Sequence, residues 1–267
     1  MNSFNLVTDQ MCRQVDVPAI PSRIISLVPS QTELLFDLGA WDSVVGITRF
    51  CTHPKEECKQ KVRVGGTKQL NLEVIEQLQP DLIIGNKEEN EKEQLELLME
   101  RFPVWMSDIL SIDDAVEMIV KIGGLVNKTE SATSIAENIQ QSFSALRDYT
   151  RNLYPSLKVA YFIWKDPYMV AARNTFINSV LELSNLENCF KSLRYPVITA
   201  SELREADPDL ILLSSEPYPF KEKHLQEFKS ICPRAKVLLA DGEMFSWYGS
   251  RLQYSVKYIC SLLKEIF

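Results

Sequence analysis

Short apolar runs alternate with amphipathic stretches along most of this chain. Arg23-Ile24-Ile25-Ser26-Leu27-Val28 is a compact apolar run and predicts a buried strand. Pro29-Ser30-Gln31-Thr32-Glu33 then leads into Leu34-Leu35-Phe36-Asp37-Leu38-Gly39, a helix that Ser30 or Thr32 can cap, Glu33 favours and Gly39 stops. Val44–Ile47, Leu82–Ile84 and Val104–Met106 add parallel strands, with an acidic helix expected over 88–100 and another over 111–124. Strands alternating with helices predict βαβ units with right-handed crossovers.

Residues 129–153 contain neither Gly nor Pro, and Ile135, Ile139, Phe143, Leu146, Tyr149 and Leu153 recur at spacings of three and four. This predicts one amphipathic helix about 37 Å long at 1.5 Å per residue, a strut between two lobes. The scheme then repeats: strand 158–163, helix 175–184, strand 210–214, helix 221–230, strand 236–240 and a last helix over 250–266. Leu70–Ile84 and Ile198–Leu212 are near-copies, each an acidic helix, a Pro-Asp turn and an apolar strand. The expected fold class is therefore α/β: a lobe over 1–126, a bridging helix over 127–155 and a second lobe over 156–267.

Composition narrows the function. A chain of 267 residues, 45% hydrophobic and 24% charged, is globular, and a net charge of −7 opposes a nucleic-acid partner. No apolar run approaches the roughly 18 residues that span a bilayer, so no membrane insertion is expected. Met1-Asn2-Ser3-Phe4-Asn5 shows no secretory signal, which leaves a cytoplasmic chain or one whose export signal has been removed. The six cysteines are scattered without a CxxC pair and read as free thiols, Cys51 and Cys58 bracketing one loop.

In open α/β sheets ligands sit beyond the carboxyl ends of the strands. The segments expected there carry Pro29, Ser30, Gln31, Phe50, Trp164, Tyr168, Tyr218, Phe220, Phe245, Trp247, Tyr248 and Arg251. Such rings either pack loop bases onto the core or wall a cleft for a large, partly apolar, planar ligand. No GxSxG, P-loop, HExxH or GxGxxG stands in the required context, so no catalytic residue is assigned. With two histidines, His53 in a strand-end loop and His224 on a polar helix, no metal site is expected either. His224 reads as solvated. Glu73 and Glu202 sit early in the repeated helices, where they complement the helix dipole or form one acidic knob per lobe.

Several ordered segments resemble the helical-backbone substrate-binding proteins of ABC importers, and within them the cobalamin-binding branch. They include Arg23–Leu35, Leu38-Gly39-Ala40, Val45–Thr48, Val64-Gly65-Gly66, Asn71-Leu72-Glu73, Pro80-Asp81-Leu82, Asn185–Asn188, Tyr195-Pro196, Ala206–Leu212 and Ser246–Leu252. The resemblance implies two Rossmann-like α/β lobes bridged by one long helix, the class III architecture, with a transported corrinoid or other metal chelate held between the lobes. No intrinsic cofactor and no enzymatic turnover are implied. Cleft aromatics carry over to Phe50, Trp164 and Trp247, and two further aromatic positions of the branch fall on Thr67 and Asn86. Glu73 and Glu202 take the transporter-docking places, Glu202 standing one residue late and Ser201 at the matching one. The implied partners are a small-molecule ligand and ABC-importer membrane subunits, with the chain a monomer in the periplasm or cell envelope. Haem, a ferric siderophore, or a cytoplasmic carrier or sensor role without a transporter remain the alternatives.

Overall fold

A computed structural model describes residues 4–267. The chain divides into two units. One comprises the residues through Ile109, Asp113–Asn138 and Tyr248–Arg251; the other comprises Leu110–Ile112, Ile139–Trp247 and Leu252–Phe267.

The first unit opens with an antiparallel ribbon, β1 (Phe4–Thr8) and β2 (Gln14–Pro18). It continues through β3 (Ile24–Ser26), α1 (Pro29–Asp37), β4 (Val44–Ile47), α2 (Lys55–Cys58) and β5 (Val62–Arg63). Next come α3 (Leu72–Leu78), β6 (Leu82–Asn86), α4 (Lys92–Met99), β7 (Val104–Ser107) and most of α5 (Ile112–Leu125). The five-stranded sheet has the order β5-β4-β3-β6-β7, parallel throughout. Strand order reverses between β3 and β6, the place at which open parallel sheets take ligands beyond their carboxyl ends. Ile25, Leu27, Ile75, Ile83, Leu95, Val104 and Met106 form one core cluster there. The acidic helix starts at Lys92 rather than near 88, because side chains of Asn86 and Asn90 tie residues 86–90 into a turn.

Helix α6 (Thr129–Leu153) is unbroken over 25 residues, and the division between units falls inside it after Asn138. Its stripe is buried at Ala132, Ala136, Ile139, Phe143 and Leu146, whereas Tyr149 and Leu153 are exposed.

The second unit contains β8 (Leu157–Trp164), β9 (Tyr168–Val170), α7 (Phe176–Leu183), β10 (Leu186–Asn188), β11 (Val197–Ile198) and α8 (Ala200–Ala206). It closes with β12 (Leu210–Ser214), α9 (Glu222–Ile231), β13 (Lys236–Ala240), α10 (Glu243–Ser246) and α11 (Leu252–Ile266). Its sheet runs β11-β9-β8-β12-β13. The first half of β8 pairs with β10 in parallel and its second half with β9 in antiparallel fashion, so one side of a single strand serves two partners. The parallel strands β10, β8, β12 and β13 place a reversal of strand order between β8 and β12. This is the expected α/β fold class. The short ribbon and β9–β11 are additions that the periodicity did not reveal.

Candidate functional site

In the first unit, the carboxyl edge of the sheet rests on a buried polar network. Ser107, at the end of β7, accepts from the side-chain amides of Gln31 (2.6 Å) and Asn86 (2.9 Å) and donates to the Gly85 carbonyl (3.2 Å). Asn90 accepts from the Asn86 N–H (2.9 Å), and its amide donates to the carbonyls of Thr67 (3.1 Å) and Leu27 (3.3 Å). Asn86 in turn accepts from the N–H groups of Glu88 and Glu89. Buried amides cost stability unless paired, so these bonds lock the loops that follow β3, β6 and β7. Ser30, Gln31, Thr67 and Asn86 are all buried within this framework, while Pro29 is half-buried at the start of α1.

The loop after β4 is held from behind. Thr48 and Thr32 both contact the Cys51 thiol, at 3.2 and 3.1 Å, and Arg63 donates to the Thr48 and Cys51 carbonyls at 2.8 and 3.0 Å. Burial pushes the Cys51 thiol up, which makes it a packing residue rather than a nucleophile. Phe50, on the same loop, remains 49% exposed.

Tyr248–Arg251 are remote in sequence yet complete this edge. An added Cβ on Gly249 would stand 2.3 Å from the Ser30 carbonyl oxygen, so only glycine allows this approach to α1. Arg251 grips Glu33 in bidentate fashion at 2.8 and 2.6 Å. Burial pushes the Glu33 carboxyl up, and Arg251 opposes that shift. Sequence reasoning assigned Arg251 to the site without finding Glu33. The partners lie 218 residues apart, and no spacing signals such a pair.

At the corresponding edge of the second unit, Trp164 is 39% exposed. Its ring meets Tyr218 edge-on at 5.7 Å, and Tyr218 packs on Phe220 at 4.8 Å. Trp247 is buried, and its indole N–H donates to Glu216 at 2.9 Å; the Ser246 hydroxyl donates to the same carboxylate oxygen at 2.8 Å. Burial pushes Glu216 up, against the opposing hydrogen bond from Ser246. Tyr168 is turned toward the core, packed on Phe162 and Phe228, with its hydroxyl on Glu227, which also pairs with Lys165.

His224 is buried, contrary to the solvated reading. Its Nδ1 accepts the Lys221 N–H at 2.9 Å at the start of α9, and its ring lies against Tyr218 and Phe220. Burial holds its pKa below the usual value. Among the described residues no group of three His, Cys, Asp or Glu side chains is placed to hold a metal ion. No helix among them is long and apolar enough to cross a membrane.

Two parallel-stranded α/β units, with a long helix running from one into the other and rings at the strand ends, define a solute-binding architecture. The chain belongs to the periplasmic binding protein family, which matches residues 24–233. It is 26% identical over 252 residues to the vitamin B12-binding protein of Pectobacterium carotovorum, covering 93% of this chain and 90% of that one. Its fold matches the periplasmic vitamin B12 binding protein BtuF of Vibrio cholerae with a TM-score of 0.80 at 21% identity, covering 92% and 98% of the two chains. A periplasmic heme binding protein from Pseudomonas aeruginosa matches equally, with a TM-score of 0.80 at 21% identity over 91% and 92%.

Proposed function

We propose that this chain is the substrate-binding component of an ABC-type importer, and that it takes a cobalamin-like corrinoid without turning it over. The observation that carries this reading is the near full-length likeness to vitamin B12-binding relatives. The exposed rings of Phe50 and Trp164 at the strand ends support it, because a flat, partly apolar macrocycle gains most from aromatic faces. Haem is the second reading, favoured by heme-binding neighbours of the same fold.

In this reading Glu73, exposed on the first turn of α3, meets a basic socket on the importer's membrane subunits, and Glu202 contributes less. The protein then works at the cell envelope and carries its ligand as cargo rather than as a resident cofactor. Titration with cyanocobalamin, haemin and a ferric siderophore, followed by absorbance and calorimetry, tests the assignment. Micromolar or tighter binding of cyanocobalamin is expected. Binding of haemin alone selects the second reading, and failure of all three ligands rejects both.

A further inference from the structure

The loop after β4 combines three features that its packing role does not require. Phe50 is a large ring left 49% exposed on a loop whose backbone is pinned by Arg63 and the Thr32–Cys51–Thr48 contacts. The Arg49 guanidinium lies over that ring, 5.0 Å from its centroid. Among the described residues Arg49 has no carboxylate within ion-pairing range, although the chain holds 36 acidic residues against 29 basic ones. The aromatic face restrains the guanidinium and leaves its N–H donors available.

Gly66 forms the floor beneath the pair. An added Cβ there would stand 3.1 Å from both Nε and Nη2 of Arg49 and 3.2 Å from Cε2 of Phe50. The Arg49 N–H donates to the Gly65 carbonyl at 2.8 Å, which joins the two loops. Ring and guanidinium are thus preorganised at the carboxyl edge of the sheet, where open α/β folds take ligands.

We propose that Arg49 and Phe50 together recognise an oxyanion carried at the rim of a planar ligand. The ring takes the flat face, and the guanidinium takes a phosphodiester or carboxylate oxygen beside it. This inference rests on the ligand reading above and adds the charge class of the ligand. A guanidinium suits either oxyanion because its paired N–H groups match two oxygens at once.

The test uses ligand pairs with and without the oxyanion. Cyanocobalamin is set against dicyanocobinamide, which lacks the phosphodiester together with the rest of the nucleotide, and haemin against its dimethyl ester. Arg49→Gln should weaken the oxyanion-bearing member of one pair about tenfold and its neutral counterpart less than twofold, with the melting temperature unchanged. Arg49→Lys should fall between, and the Arg49-dependent part should shrink at high salt. Phe50→Leu should weaken both members of a pair alike. The pair that responds identifies the oxyanion as phosphodiester or carboxylate. Equal effects of Arg49→Gln on both members, or no effect on either, overturn the inference while leaving the ligand reading intact. Wild-type protein that binds none of the four probes overturns the ligand reading and this inference with it.

Discussion

Helices α3 and α8 are the same device built twice, and they differ in what their acidic side chains do. Each spans seven residues. Asn71 caps one by accepting the Val74 N–H at 3.2 Å, and Thr199 caps the other by accepting the Glu202 N–H at 3.2 Å. Each ends on a left-handed residue, Gln79 at φ 43 and Asp207 at φ 46, followed by Pro-Asp. Each of those Asp residues clamps the start of the neighbouring strand: Asp81 accepts from the Ser22 and Arg23 N–H groups, and Asp209 from that of Lys158. The backbone is conserved between the copies. The chemistry of the first turn is not: Glu73 is the second helical residue and exposed, while Glu202 is the third and accepts from both the N–H and the hydroxyl of Thr199, at 2.7 and 2.8 Å. A shift of one position turns a side chain by about 100°. It makes Glu202, exposed like Glu73, half of a capping box.

The comparison can be broken most severely at the clamps. Asp81 also accepts the Ser22 hydroxyl at 2.9 Å. Chemical denaturation should show Asp81→Ala costing about 2 kcal/mol and Asp209→Ala about 1 kcal/mol; equal costs would mean that the extra bonds of the first copy contribute nothing. The acidic positions come next. Glu73→Arg should weaken binding to reconstituted importer membrane subunits about tenfold, and Glu202→Arg less than threefold. A larger effect at Glu202 would reverse the assignment of the docking residue.

Thr199→Ala should cost about 1 kcal/mol through loss of the cap. Its pH signature is separate. Hydrogen bonds from Thr199 hold the Glu202 carboxyl below its usual 4.5. The stability it lends is therefore fully present above pH 4.5 and is lost as pH falls through the depressed value. Glu202→Gln should flatten the stability profile in that acid window, and an unchanged profile would show that the capping box is inert. The smallest effect lies at the helix ends. Gln79→Gly should stabilise by about 0.5–1 kcal/mol, because a β-carbon is disfavoured at this φ. Asp207→Gly should gain less, since Asp207 pairs with Arg234 at 2.8 Å. Calorimetric melting of the two variants separates these outcomes.

What could be read from the residues follows from the range of the forces involved. Helix α6 matches its expected bounds, because a long stretch free of Gly and Pro with apolar residues three and four apart has one low-energy conformation. Strands Val44–Ile47, Leu210–Ser214 and Lys236–Ala240 were equally legible as apolar runs between turn residues. The β1–β2 ribbon was missed: its strands are only five residues each, too short for an apolar alternation to stand out. At the site, the strand-end position of Phe50, Trp164 and Trp247 was visible, but their states were not. Glu216 takes the Trp247 indole from 31 residues away, and Tyr168 reaches Glu227 from 59 residues away. His224 looked solvated on a polar helix, yet rings of the preceding loop cover it.

The amino-acid order by itself determined the repeated unit, the α/β class and the strand ends at which a ligand is expected, because these depend on spacing and backbone preference over a few residues. Only the tertiary structure decided which amides sink beneath the site, which carboxylate takes the Trp247 indole, and that Tyr248–Arg251 return to close on α1. Those outcomes depend on desolvation and on pairing between distant segments, and neither quantity exists until the chain has folded.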